Sequence, residues 1–242
     1  MEGATLLGEA LDAGAPVESV YVAPRPAGDP EPPEVARAWQ AGVRVHDLGP
    51  GVLERVAGTV TPQPVLAVVG MVDGGLEALA ASGPVVVCVD VRDPGNLGTV
   101  LRSAEAAGAA GVICCDGTVD VYNPKCVRAS AGALFHVPVV AGGSAVSVLA
   151  ALAASGRRRL GAAVGSGEPY TSADLAGPVA LVLGNEAGGL PAEVAPELDG
   201  YVHIPIEGRS ESLNVGMACA VLCFEAARQR HLAATVTAAV DR

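Results

Sequence analysis

The sequence predicts an α/β protein whose larger part is a parallel sheet with helices on both faces. Three observations lead to this class. Strand-like segments alternate with helical ones along the chain, the segment 84–90 is apolar almost throughout, and the 242 residues are 50% hydrophobic but only 17% charged. Strands that alternate with helices assemble as parallel sheets through crossover connections. A strand covered on both faces reads as one apolar run, whereas a half-exposed strand alternates. The length suits one large or two modest domains, and the composition excludes a disordered chain or a coiled coil.

The elements follow in order. Residues 5–13 read as helix, 17–22 as strand, 33–41 as helix, 43–46 as strand, 52–57 as helix and 65–69 as strand, which makes a small α/β domain over 1–72. The run 73–83 holds three glycines and reads as a linker, with one helical turn at 76–80. A second series fills 84–242: strand 84–90, helix 97–107, strand 111–115, helices 124–133 and 144–154, strands 159–164, 179–183 and 201–204, and a last helix at 212–230. No internal repeat is present.

The net charge of −11 excludes a protein that binds nucleic acid merely by being basic. A local basic groove remains open, because the cations are unevenly placed. Before Gly83 there are 4 Arg against 11 acids, and from Gly83 onward 11 Lys and Arg against 15 acids. Apolar runs are too short to span a bilayer and no secretory signal opens the sequence, so a cytoplasmic protein with no membrane partner is expected. Six cysteines lack CxxC or zinc-finger spacing and read as reduced core residues, and no metal site is expected. Cys219 and Cys223, at i and i+4, give the single hint of a ligand pair, and core packing explains them more simply. His46, His136, His203 and His231 are dispersed. There is no Walker A loop, GxSxG elbow or HExxH, and Gly165-Ser166-Gly167 lacks the third glycine of a dinucleotide fingerprint.

Ligands of parallel sheets bind in loops at the carboxyl ends of strands, and three such loops are unusual. The first runs from Val91 to Arg102. Its Pro94-Gly95 forms a turn, Asn96 can cap the next helix, and Arg102 follows just under two turns later. A plain cap with a solvated arginine is the rival reading. The second, Leu183-Gly184-Asn185-Glu186-Ala187-Gly188-Gly189, surrounds a carboxylate with glycines that let a ligand approach the backbone, although many folds use a glycine-rich turn. In the third, Ile204 to Val215, Ser212 and Asn214 stand at a helix N-terminus, where free N–H groups suit an oxygen-rich ligand. Capping alone accounts for Ser212 but not for Asn214.

Together these loops resemble the signature motifs of the SpoU family of RNA ribose 2'-O-methyltransferases, a branch of the SPOUT superfamily. Asn96-x-Gly98-x-x-x-Arg102 resembles the first motif, Leu183-Gly184-Asn185-Glu186 the second, and Ile204-Pro205 through Ser212-Leu213-Asn214-Val215 the third. The likeness spans 84–230, and residues 1–70 resemble the small ribosomal-L30-like substrate-binding domain of many members. The resemblance implies a deep trefoil knot at the carboxyl end and a homodimer whose active site uses both subunits. It further implies S-adenosylmethionine held by Leu183, Gly184, Asn185, Ile204, Ser212 and Leu213.

By the same resemblance, Arg102 assists deprotonation of the ribose 2'-hydroxyl, while Asn96, Glu186, Ser212 and Asn214 position the reacting groups. A guanidinium is a poor base, so Arg102 is either a perturbed base or an electrostatic clamp. Candidate phosphate contacts are Arg92, Lys125, Arg128, Arg209 and the run Arg157, Arg158, Arg159, whose rival reading is a solvated turn. The expected reaction is methyl transfer to RNA, ribosomal before transfer RNA. The alternatives are a non-catalytic RNA-binding module and, behind it, small-molecule methyl transfer.

Overall fold

The computed structural model describes residues 1–26, 28–57 and 61–240, the last five without side chains. The chain forms two compact units, Met1–Val72 with Ala131–His136, and Asp73–Ser130 with Val137–Arg242.

In the first unit α1 (Ala4–Asp12), β1 (Val17–Val22), α2 (Pro33–Gln40), β2 (Arg44–Asp47), α3 (Leu53–Val56) and β3 (Val65–Val69) follow one another. The strands lie in the order β2-β1-β3, with β1 parallel to β2 and antiparallel to β3. Val20, Val22, Val65 and Ala67 turn inward and bury against Leu7 of α1 and Val35 and Ala38 of α2. Successive strand side chains alternate between faces, so Tyr21, His46 and Leu66 stand on the other side.

The second unit runs β4 (Val85–Cys88), α4 (Pro94–Ala106), β5 (Gly111–Cys114), α5 (Pro124–Ser130), β6 (Val139–Ala141), α6 (Ala145–Ala154), β7 (Arg158–Ala162), β8 (Glu168–Pro169), β9 (Val179–Leu183), β10 (Gly200–His203) and α7 (Val215–Val240). All seven strands are parallel, in the order β6-β5-β4-β9-β7-β10-β8. The central strands β4, β5 and β9 are wholly buried, as their apolar runs predict. Val85, Val87, Ile113, Ala180 and Val182 pack with Val148, Leu149 and Leu152 of α6. α4 packs against α5 and α7. All six cysteines are free and buried, with Cys88 paired in register to Cys114 and Cys219 Sγ 3.7 Å from Cys223 Sγ.

Several boundaries differ from expectation, each for a local reason. α4 begins at Pro94, and its cap is Asp93, which accepts from the Asn96 N–H at 2.9 Å; Asn96 is thereby freed for another role. α5 stops at Ser130 because Ala131 and Gly132 take left-handed φ values of 51° and 96°. α7 starts at Val215, with Asn214 rather than Ser212 capping it through the Gly216 N–H at 2.9 Å. Strands β6 and β8 are too short to carry a pattern. Residues 73–83, expected as a linker, are fastened within the second unit. Gly74 N–H donates to the Val139 carbonyl at 2.9 Å, and the Arg157 guanidinium donates to the Gly83 carbonyl at 2.8 Å.

Candidate active site

Because the strands are parallel, their carboxyl ends share one edge, and the loops after β4, β7, β9 and β10 gather there. Between them lies a cavity of about 540 Å³. Its wall takes Ala162 and Ala163 from the end of β7, Leu183 to Ala187 from the loop after β9, and Val202 and Ile204 from β10. Leu222 of α7 closes the apolar side.

A line of side-chain hydrogen bonds joins the three loops. Asn214 Nδ2 donates to Asn96 Oδ1 at 2.8 Å, and Asn96 Nδ2 donates to Glu186 Oε1 at 2.8 Å. Glu186 also accepts from the backbone N–H groups of Arg92 at 3.4 Å and Asp93 at 3.3 Å. The carboxylate accepts only, so it orients the Asn96 amide, and the remaining oxygen of Asn96 orients Asn214. Partial burial would raise the Glu186 pKa, but the bonds from Asn96 and the two backbone donors outweigh it and leave the group below the ordinary carboxylate range. The same bonds anchor the Glu186 carboxylate between the first and second loops.

Asn185 shapes the second loop. Its Nδ2 donates to the Asp90 carbonyl at 2.9 Å, and its Oδ1 accepts from the N–H groups of Ala187 and Gly188. The loop then closes on itself through paired backbone bonds between Asn185 and Gly189. A Cβ at Gly184 would lie 2.4 Å from the Gly189 carbonyl carbon, so only glycine fits there. Gly98 of the first loop serves packing instead: a Cβ there would lie 2.4 Å from Ala129 Cβ, where α4 crosses α5.

Of the residues singled out from sequence, Asn96, Leu183, Gly184, Asn185, Glu186, Ile204, Ser212, Leu213 and Asn214 all line this one cavity. Arg102 is exposed on α4 and stands outside the cavity wall. Arg92, Lys125, Arg128 and Arg209 are exposed, with Arg92 paired to Asp90 and Lys125 to Asp93.

The run Arg157–Arg159 departs from expectation. Arg157 is buried and engaged with backbone carbonyls of residues 80, 81 and 83. Arg159 holds Asp199 through two side-chain bonds, and Arg158 pairs with Glu168. All three lie at the amino end of β7, opposite the cavity, so strand polarity removes them from the site. Sequence reading missed Glu211 and Val164, which also line the cavity; Val164 follows the carboxyl end of β7, where the loop rule would have found it.

Comparison with known proteins agrees with this geometry. Residues 83–224 match the SpoU rRNA Methylase family, and residues 1–73 match the family described as RNA 2'-O ribose methyltransferase substrate binding. The chain belongs to the SpoU family. This SpoU family chain is 34% identical to the 23S rRNA (guanosine(2553)-2'-O)-methyltransferase RlmP of Bacillus subtilis, over 93% of its own length and 86% of that enzyme. It is 37% identical to the 23S rRNA (guanosine-2'-O-)-methyltransferase RlmB of Xanthomonas axonopodis pv. citri, over 80% and 81% of the two chains. Among solved structures, the AdoMet-bound rRNA methyltransferase of Sinorhizobium meliloti superposes with a TM-score of 0.81 at 30% identity, covering 94% of this chain and 86% of that one. The expectation of an S-adenosylmethionine-dependent RNA 2'-O-methyltransferase agrees with this membership. Among the described residues no helix is long and apolar enough to cross a membrane.

Proposed function

We propose that the chain transfers a methyl group from S-adenosylmethionine to a ribose 2'-hydroxyl of ribosomal RNA in the cavity at the carboxyl edge of the sheet. The observation that carries this reading is the Asn214, Asn96 and Glu186 line, which ties three loops around one cavity. Ribosomal RNA is favoured over transfer RNA because RlmP and RlmB are named for 23S rRNA.

The cavity suits the cofactor. Its volume of about 540 Å³ falls in the range of small-molecule sites, roughly 300–1,000 Å³. Apolar Leu183, Val202 and Leu222 offer a surface for a flat base, beside backbone groups of Leu183, Gly184, Ile204 and Leu213. When bound, S-adenosylmethionine supplies a methyl group already activated by its positive sulfur. The chain then has to position the acceptor oxygen and exclude misaligned approaches. Asn185 shapes the cofactor loop, Ser212 presents a hydroxyl to the cavity, and Asn96, Glu186 and Asn214 fix the wall that both reactants meet. The role proposed for Arg102 is a clamp on phosphate and developing alkoxide, since a planar guanidinium with five N–H donors matches phosphate oxygens. Arg92, Lys125, Arg128 and Arg209 remain as phosphate contacts. The exposed pairs of Arg92 and Lys125 with aspartates are weak enough for phosphate to displace.

The same proposal includes a small L30-like RNA-binding domain over 1–72, a catalytic domain over 84–242 with a carboxyl-terminal trefoil knot, and a cytoplasmic homodimer. The strand order supports the knot, since β9 enters between β4 and β7 after both have formed part of the chain's path. Exposed Met217 and Phe224, seven residues apart on one side of α7, support the dimer.

The test is transfer of tritiated methyl into ribosomal RNA followed by nucleoside analysis. Label in 2'-O-methylnucleosides is expected; label on bases alone, or none, rejects the reading. Arg102→Ala is expected to lose turnover while keeping cofactor affinity.

A further inference from the structure

We propose that the face of the three-stranded sheet opposite α1 and α2 in the first unit binds an unpaired RNA base by stacking on His46. This rests on the reading of the chain as an RNA-modifying enzyme and gives its substrate-binding part a specific chemistry.

Tyr21 of β1 is in register with His46 of β2 and Leu66 of β3, all on the face away from α1 and α2. The Tyr21 and His46 rings are stacked, with centroids 5.2 Å apart and planes 22° from parallel. That separation is close to the spacing of neighbouring strands, about 4.8 Å. The rings are therefore stacked across the strands, with Tyr21 inside and His46 at the end. β2 is an edge strand, and His46 is exposed while Tyr21 is half-buried. Tyr21 thus supports one side of the imidazole and leaves the other for a further ring.

Arg44 stands two positions before His46 on the same edge and face, about 7 Å away. Its side chain is exposed and makes no ion pair or hydrogen bond among the described residues. A guanidinium beside an open aromatic ring matches a nucleotide, with the base on the ring and the phosphate on the charge. A protein partner finds little apolar surface here, since Leu66 and the half-exposed Val68 are the aliphatic side chains this face offers on β3.

Stacking also resolves the charge of this region, where 4 Arg face 11 acids before Gly83. Long-range phosphate attraction to so acidic a body is weak, so affinity here has to come from short contacts, a base on His46 and a phosphate on Arg44. One base–aromatic stack contributes about tenfold or more to affinity.

The experiment uses the full chain and a short unstructured oligoribonucleotide carrying 2-aminopurine, whose fluorescence is quenched on stacking. Binding with quenching is expected for the wild type. His46→Ala, at an exposed position that leaves the fold intact, is expected to lose about tenfold in affinity together with the quench, and His46→Phe to keep both. Arg44→Gln is expected to weaken binding and to lower the salt dependence by about one charge. Unchanged affinity and quench in His46→Ala overturn the proposal, and that is also the result if the face docks a protein. If the wild type still methylates ribosomal RNA, only the platform falls; if it methylates none, the enzymatic reading falls as well.

Discussion

The side-chain amide of Asn96 donates to Glu186 Oε1 at 2.8 Å, joining residues 90 apart in sequence at the point where two loops meet. Hydrogen bonds to charged groups contribute about 1.5–3 kcal/mol, and residues in one network do not act independently. Asn96→Ala and Glu186→Ala are each expected to lower kcat/KM about ten- to a hundredfold, with the double variant little worse than either single one. A double-mutant cycle with cofactor affinity measured in parallel checks this, and additive losses would show that the two side chains act separately.

Gly98→Ala should destabilise the second unit, because the new methyl group would lie 2.4 Å from Ala129 Cβ and 2.8 Å from the Cys126 carbonyl oxygen. Overpacking of this kind is destabilising by about 1–3 kcal/mol, a fall of several degrees in Tm for a chain of this size. Ala129→Gly in the same chain is expected to restore part of the loss in thermal melts.

Asp199 sets a pH dependence. The side-chain and backbone bonds from Arg159 hold its carboxyl down at about 2. A depressed carboxylate contributes stability above its unfolded value near 3.9 and loses it as pH falls toward the folded value. Melting temperature is expected to drop between about pH 4 and pH 2, and Asp199→Asn to flatten that drop while lowering Tm at neutral pH. The effect is small, because the pair is partly open to solvent.

The thiols should be silent in the folded chain. All six are buried, and burial pushes the Cys115 and Cys126 thiols up to about 12. A colorimetric thiol reagent is expected to find none reacting rapidly under native conditions and six after denaturation. Rapid labelling of Cys219 or Cys223 in the native chain would contradict the packing described for α7.

Phe224→Glu places a charge on the exposed apolar side of α7. It is expected to convert the proposed homodimer to monomer in light scattering and to reduce methyl transfer with it. A dimer of unchanged strength would move the interface elsewhere.

The alternation of elements and the three polar loops were legible in the sequence because each has a local cause: apolar runs in β4 and β9, glycines around Glu186, a proline turn before α4. Less legible were features set by residues far apart. Asn96 looked like a cap until Asp93 took that place and released it toward Glu186. The three arginines around the start of β7 looked like a phosphate contact, yet parallel pairing puts them at the edge opposite the cavity. Gly98 belonged to a motif but answers to Ala129 on another helix, which no local pattern reveals. The Tyr21 and His46 stack needed the register of two strands that no motif describes.

The position of β9 has a consequence for the order in which the protein can be made. Val85 of β4 pairs with Val112's neighbour Gly111 on one side soon after synthesis, but its other partner, Ala180, emerges about 95 residues later. At translation rates of about 5–20 residues per second, one flank of a valine-rich strand waits unpaired for roughly five to twenty seconds. An open, apolar strand edge of that kind is a template for mispairing. Nascent chains halted before Val179 are therefore the species most in need of chaperone protection, and the cavity wall is complete only once Asn214 has followed β9 into place.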